Sequence, residues 1–158
     1  MIRPARSDEL SALTELMHRS KAHWGYDEHF MRAARAVLQL SEKDLAEGRL
    51  AVFDAGKPLG ICKLVVDGAH ADLDKLFVDP EAMGHGVGRA LMDWATRSAV
   101  AAGARYLTIE ADPDAVPFYE RMGARVIGEV PSEAIPGRML PHLRIDLSDL
   151  APASDRSI

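Results

Sequence analysis

Apolar residues recur every three or four positions near the start of the chain, and further on they gather into short blocks bounded by Gly, Pro and Asp. Ile2 to Arg6 reads as a short strand. Ser7 stops it as a helix N-cap, with Asp8 and Glu9 in the first turn, where negative charge suits the positive end of the helix dipole. Leu10, Leu13, Leu16 and Met17 then fall on one face, which predicts an amphipathic helix over residues 8–19. A second helix is predicted from Asp27 to Leu40, with Phe30, Ala34, Val37 and Leu38 turned inward.

Strand patterns follow. Leu50 to Phe53 and Leu59 to Val66 flank the turn-rich Asp54-Ala55-Gly56-Lys57-Pro58, so the two pair as a hairpin. A third strand covers Ala71 to Val78 and stops at Pro80. A long helix is predicted from Gly86 to Ala102, packing through Leu91, Trp94, Ala95, Ser98 and Ala99, with Gly103 closing it. Tyr106 to Glu110 is a further strand, Asp114 to Met122 a short helix, and Arg125 to Glu129 and Leu140 to Leu147 two last strands. The order β-α-α-β-β-β-α-β-α-β-β implies a mixed α/β (α+β) sheet with helices on both faces. A single domain is expected over 1–150, with a flexible tail from about Ala151.

Composition narrows the function classes. The 158 residues, 47% hydrophobic and 27% charged, suit one soluble globular domain. Nineteen basic against 24 acidic residues leave a formal charge of -5, and without a Lys/Arg run no nucleic-acid surface is implied. No stretch has the length and apolarity of a membrane span, and the start lacks a signal-peptide core. The lone Cys62 excludes an intrachain disulfide, suits a reducing compartment and, within an apolar stretch, reads as a buried thiol. A cytoplasmic location is expected. His18, His23 and His29 lack the i, i+4 spacing of a helical zinc site, so no metal is expected.

The candidate chemistry centres on Gly84, Gly86 and Gly88, which alternate between a strand and a helix. Glycine admits positive φ and close approach of a ligand, and a helix start offers free N–H groups to an anion such as a diphosphate. His85 and Arg89 add positive charge. The spacing alone is equally consistent with a tight turn. A P-loop needs Gly-Lys-Ser/Thr, whereas Gly88-Arg89-Ala90 stands here, and the third glycine comes one residue early for a dinucleotide fingerprint.

Leu76-Phe77-Val78-Asp79-Pro80-Glu81-Ala82-Met83-Gly84-His85-Gly86-Val87-Gly88-Arg89 resembles the acetyl-CoA motif of the GNAT acetyltransferase superfamily: a strand ending Val-x-Pro, then Gln/Arg-x-x-Gly-x-Gly/Ala. Leu107 to Ala124, with Ala115, Phe118, Tyr119 and Gly123, resembles that family's second signature, Asn-x-x-Ala-x-x-Phe-Tyr-x-x-x-Gly-Phe. Met83 replaces the usual Gln/Arg, Asp112 the usual Asn, and Ala124 the usual Phe. The element order matches from Ile2 to Leu147. The resemblance implies a mostly antiparallel sheet of about seven strands flanked by about four helices. In it, the strands at Leu76–Val78 and Tyr106–Ala111 splay into a cleft for acetyl-CoA. Leu76, Phe77 and Val78 would pair with the pantetheine amides. Met83 to Arg89, including Val87, would face the phosphates, and Asp112, Ala115, Phe118 and Tyr119 would line the cofactor side.

The implied activity is acetyl transfer to a primary amine of a small molecule or peptide, by direct attack in a ternary complex. Tyr119 matches the family tyrosine that protonates the departing thiolate; otherwise it is a core aromatic. Among the carboxylates near the cleft (Asp72, Asp74 and Glu110), Asp74 and Glu110 are the candidate general bases. His23, Trp24 and Tyr26 lie in a linker that overhangs the acceptor side in this architecture, although Trp24 equally fits a core plug. Arg138, in a Pro- and Gly-rich loop, suits either a substrate carboxylate or a surface turn. A non-catalytic acyl-CoA-binding module is the alternative, and longer acyl groups, hydroxyl acceptors and a homodimer stay open.

Overall fold

A computed structural model describes residues 1–148, so the expected tail from Ala151 lies outside the described residues. Seven strands form one sheet: β1 (Ile2–Pro4), β2 (Arg49–Asp54), β3 (Pro58–Asp67), β4 (His70–Val78), β5 (Tyr106–Glu110), β6 (Arg125–Pro131) and β7 (Met139–Asp146). Five helices flank it: α1 (Leu10–Ala22), α2 (Glu28–Val37), α3 (Glu42–Glu47), α4 (Val87–Ala101) and α5 (Val116–Arg121). The strand order is β1-β2-β3-β4-β5-β7-β6, and every neighbouring pair is antiparallel except β4–β5.

That one parallel pair shapes the molecule. It begins at His70↔Tyr106 and ends at Leu73↔Ile109, after which the two strands part. On the other side of β4 the register against β3 shifts, with Lys63 opposite Lys75 but Leu64 opposite Leu73, which leaves Asp74 as an extra, bulged residue. A bulge bends and twists its strand. Here it falls where β4 leaves β5, so Asp74 to Val78 keep their bonds to β3 and present a free edge toward the gap.

Strand alternation sends side chains to two cores. On one face Leu73, Leu107, Ile109, Leu143 and Ile145 pack with Leu91, Met92, Ala95 and Ala99 of α4. On the other, Val52 and Ile61 pack with Leu10, Leu13 and Met17 of α1 and with Leu40. Gly60 brings α4 close to β3. A Cβ there would stand 2.8 Å from Leu91 Cδ1 and 2.9 Å from Val87 Cγ1.

The expected helix over Asp27–Leu40 is instead two elements. Asp27 caps α2 by accepting a hydrogen bond from the Phe30 N–H at 2.8 Å, but Leu38 (φ -83°, ψ 79°) leaves the helical region. Leu40 N–H then donates to Thr14 Oγ1 at 3.0 Å, and Ser41 with Asp44 forms a capping box that starts α3. The buried residues of α2 are Met31 and Ala34; Phe30, Val37 and Leu38 are only partly covered. Nor is Ser7 the cap. It opens a 3₁₀ turn whose N-cap is Arg6, held by its N–H donating to Glu9 Oε2 at 2.7 Å. The Asp114–Met122 prediction becomes a 3₁₀ turn, Pro113–Ala115, followed by α5, with Asp112 rather than Asp114 at the cap.

Candidate active site

The glycine loop leads from β4 into α4. Gly84 (φ 80°) and Gly86 (φ 84°) occupy the left-handed region, and Gly86 is the N-cap of α4. His85 N–H donates to Ala82 O, and Ala90 N–H to Gly86 O. The N–H groups of Gly84, Gly86, Val87, Gly88 and Arg89 have no acceptor among the described residues. Gly84, His85 and Gly86 are exposed, so these donors and the α4 dipole meet solvent together: a cradle fitted to a diphosphate. Gly88 has ordinary helical φ. Its missing Cβ matters for space, since one would lie 3.4 Å from Phe118 Cζ and 3.6 Å from Val78 Cγ2. Phe118 thus closes the first turn of α4 from below, and Ala115 packs against the same core.

Beyond Leu73 the free edge of β4 offers unpaired backbone groups beside the gap, as an amide-bearing ligand requires. Leu76 and Val78 pack toward the α4 side and Phe77 toward α1. Below the gap, on the α4 side, lies Tyr119, 7% exposed. Among the described residues its hydroxyl has no hydrogen-bond partner. No buried side-chain oxygen is left unsatisfied, so that hydroxyl reaches solvent in the cleft. Burial first, then the neighbouring Cys62 and Asp112, pushes its pKa well above the ordinary value, which keeps it a proton donor. Cys62 is fully buried and its thiol is pushed up by burial alone, so it is no nucleophile.

The opposite face carries carboxylates. Asp72 sits where β4 and β5 part, opposite Thr108. Thr108 Oγ1 donates to Asp72 Oδ1 at 2.9 Å and lies 2.6 Å from His70 Nε2. A hydroxyl has one proton, so with that proton on Asp72 the His70 Nε2 must be the donor. Burial raises the Asp72 pKa; the Thr108 bond offsets part of this, and the charge of Asp74 adds to it. Glu110, one residue past the last β4–β5 pair, remains exposed. Loss of water contact first, and the charge of Asp72 second, still raise its pKa. Asp74 is instead engaged by cations, with Lys75 Nζ at 3.0 Å and Lys63 Nζ at 3.6 Å. Of the expected bases, Glu110 is free to accept a proton, Asp74 is already paired, and Asp72 joins the set.

Asp112 does not turn toward the glycine loop. It accepts hydrogen bonds from Tyr26, from Lys21 Nζ at 2.9 Å and from the Asp114 N–H at 3.0 Å. Burial alone would push its carboxyl up, but the bonds from Tyr26 and Lys21 carry it below the usual range. Arg138 Nη2 donates to Tyr26 Oη at 3.2 Å. Tyr26 and Arg138 therefore meet at the end of β5, whereas His23 and Trp24 do not join them. Those two stack edge to face 5.4 Å apart, and Trp24 is 47% exposed, a lip rather than a core plug. Sequence reasoning missed Lys21, Thr108 and His70, and also Lys63, which is buried between Asp44 at 2.8 Å and Glu47 at 2.6 Å. The one signal for Lys63 was a lysine inside the apolar run Leu59 to Val66.

The model of the acetyltransferase (GNAT) family matches residues 10–124. The peptidyl-lysine N-acetyltransferase YjaB of Salmonella typhimurium is 33% identical over 130 residues, covering 80% of this chain and 84% of that protein. The solution structure of apo YjaB from Escherichia coli is similar at 26% identity and TM-score 0.65, over 93% of this chain and 96% of that one. A PaiA N-acetyltransferase from Thermoplasma acidophilum, solved with coenzyme A, shares the fold at TM-score 0.76 and 17% identity, over 92% of this chain and 98% of that one.

Proposed function

The chain belongs to the GNAT acetyltransferase family and is an acyltransferase, and from that premise we propose that it moves acetyl from acetyl-CoA to a primary amine of a small molecule or peptide. The observation that carries this is the separation of a proton donor and proton acceptors by the gap between β4 and β5. The Tyr119 hydroxyl opens on the α4 side, and Glu110 and Asp72 stand on the α1 side. The five free amides at the start of α4 hold the diphosphate, and the free edge of β4 takes the amides of the acyl carrier. Met83 offers no charged or amide group to the phosphates, so the grip is mainly backbone. A cytoplasmic location accords with the single reduced Cys62.

An amine arriving from the α1 side attacks the thioester carbonyl. The N–C bond forms, the C–S bond breaks, and the amine proton passes to Glu110, with Asp72 beside it. The departing thiolate takes its proton from Tyr119. No acyl group rests on the protein, because the buried, protonated Cys62 is unreactive.

Replacing Tyr119 by Phe tests the assignment. General acid catalysis contributes roughly 10²–10⁴-fold, so kcat should fall within that range while acetyl-CoA affinity, measured by calorimetry, stays. A variant with unchanged kcat would remove Tyr119 from the mechanism.

A further inference from the structure

The cluster at the end of β5 has more positive charge than its own carboxylate balances. Lys21 and Arg138 both face Asp112, at 2.9 and 3.8 Å, and no second carboxylate pairs with either. The two cations share one aromatic platform. Tyr26 and Phe30 stack at 3.8 Å and 14°, with Lys21 Nζ 5.2 Å from the Tyr26 centroid and Arg138 Cζ 4.9 Å from that of Phe30. Stacking fixes the plane of the guanidinium without using its N–H groups. Of these groups, only Nη2 has an acceptor among the described residues, the Tyr26 hydroxyl. Burial, followed by the bond to Asp112, pushes the Tyr26 pKa to about 12, so Tyr26 stays neutral and does not cancel the excess.

The remaining guanidinium donors face an accessible space, since no buried side-chain nitrogen lacks a partner. The loop that carries Arg138 is pinned across the cleft. Ser132 N–H donates to Arg138 O at 2.7 Å, Ala111 N–H donates to Pro141 O at 3.0 Å, and Glu133 of the same loop acts on the charge of Glu110. Glu110 and Asp112 lie two residues apart on one face, roughly 7 Å at the usual strand rise. An amino group and a carboxylate separated by one or a few carbons bridge that length with a hydrogen bond at each end.

We propose that Arg138, oriented by Tyr26, Phe30 and Asp112 and assisted by Lys21, binds a carboxylate of the acceptor, so that the acceptor is a small amino acid-like molecule whose amine lies at Glu110. This rests on the acetyl-transfer reading above and adds the second functional group of the substrate. Arg138 is then a specificity-determining residue, and Asp112 a positioning residue that holds the fork in place.

The test compares α-amino acids with their carboxamides as acceptors, by release of free thiol from acetyl-CoA, in the wild type, R138Q and R138K. Acids should exceed amides in kcat/KM by about tenfold or more, as expected when a charge-assisted bidentate contact is made. R138Q should abolish this preference through acceptor KM, and R138K should restore only part of it, lacking the planar fork. Amides used as well as acids, or an R138Q effect on the KM of acetyl-CoA instead of the acceptor, would overturn the proposal. Calorimetry of the amino acids against CoA-loaded protein separates the two readings. Arg138-dependent binding without thiol release from any amine sinks acetyl transfer and leaves the carboxylate site standing. Thiol release with carboxylate-free amines alone does the reverse.

Discussion

Gly86 and Gly88 stand two residues apart in one loop, yet substitution should separate them cleanly. Gly86 has φ 84°, where a side chain is strained, so Gly86→Ala should cost about 1–2 kcal/mol. Gly88 is helical, and a single added methyl would sit 3.4 Å from Phe118 and 3.6 Å from Val78, ordinary contact distances. Gly88→Ala should therefore stabilise by up to about 1 kcal/mol, because alanine is the better helix former. Gly88→Val adds two further methyls where the first already touches, and overpacking of this kind costs about 1–3 kcal/mol. At roughly 2–4 °C per kcal/mol for a domain of this size, melting should fall by about 2–8 °C for Gly86→Ala and rise by a few degrees for Gly88→Ala. Calorimetry with acetyl-CoA completes the series. Gly88→Ala should bind within about threefold of the wild type, whereas Gly88→Val displaces the first turn of α4 and should lose about tenfold or more, the worth of one hydrogen bond to a charged group. A folded Gly88→Val protein with wild-type affinity would refute the claim that the α4 amides grip the ligand.

Three further outcomes follow from the charges. The raised pKa of Glu110 places the acidic limb of the kcat/KM profile above the ordinary carboxylate range; an identical limb in both Glu110→Gln and Asp72→Asn would contradict the base assignment. Because the folded pKa of Asp72 is raised, its contribution to stability is present below the unfolded value of about 3.9 and is lost as pH rises through the folded one. Asp72→Asn should accordingly raise the melting temperature at neutral pH, with the gain vanishing in acid; a gain that is independent of pH would argue against the linkage. Asp44→Ala leaves the Lys63 ammonium, 2% exposed, with only the more exposed Glu47 and Asp74, and should cost about 3 kcal/mol or more, or roughly 6–12 °C in melting temperature. A loss under about 1 kcal/mol would show that the pair is not effectively buried.

Much of this arrangement was legible in the sequence because it is local. Alternation and turn residues located all seven strands, and the spacing of Gly84, Gly86 and Gly88 after Val78-Asp79-Pro80 marked a backbone cradle at a helix start. The break between α2 and α3 was harder to see. Leu38 and Leu40 continue an apolar pattern while the Leu40 N–H is taken by Thr14 Oγ1, a partner 26 residues away. Asp112 shows the same limit within the site. Its motif position suggested a cofactor contact, whereas Lys21, Tyr26 and Arg138, distant in sequence, turn its carboxylate toward the acceptor side. The roles of Asp74 and Lys63 likewise depend on a bulge that no period-2 pattern reveals.

The central claim is that a cleft with Tyr119 on one side and Glu110 on the other transfers acetyl directly to an amine. Thiol release from acetyl-CoA, followed with and without a panel of primary amines and paired with mass spectrometry of the acceptor, tests it most directly. The account predicts release that depends on the amine, one acetyl-amine product per thiol, and no acetylated protein at Cys62. Saturable acetyl-CoA binding with no amine-dependent thiol release across the panel would contradict it, and would make the cleft a binding site without turnover.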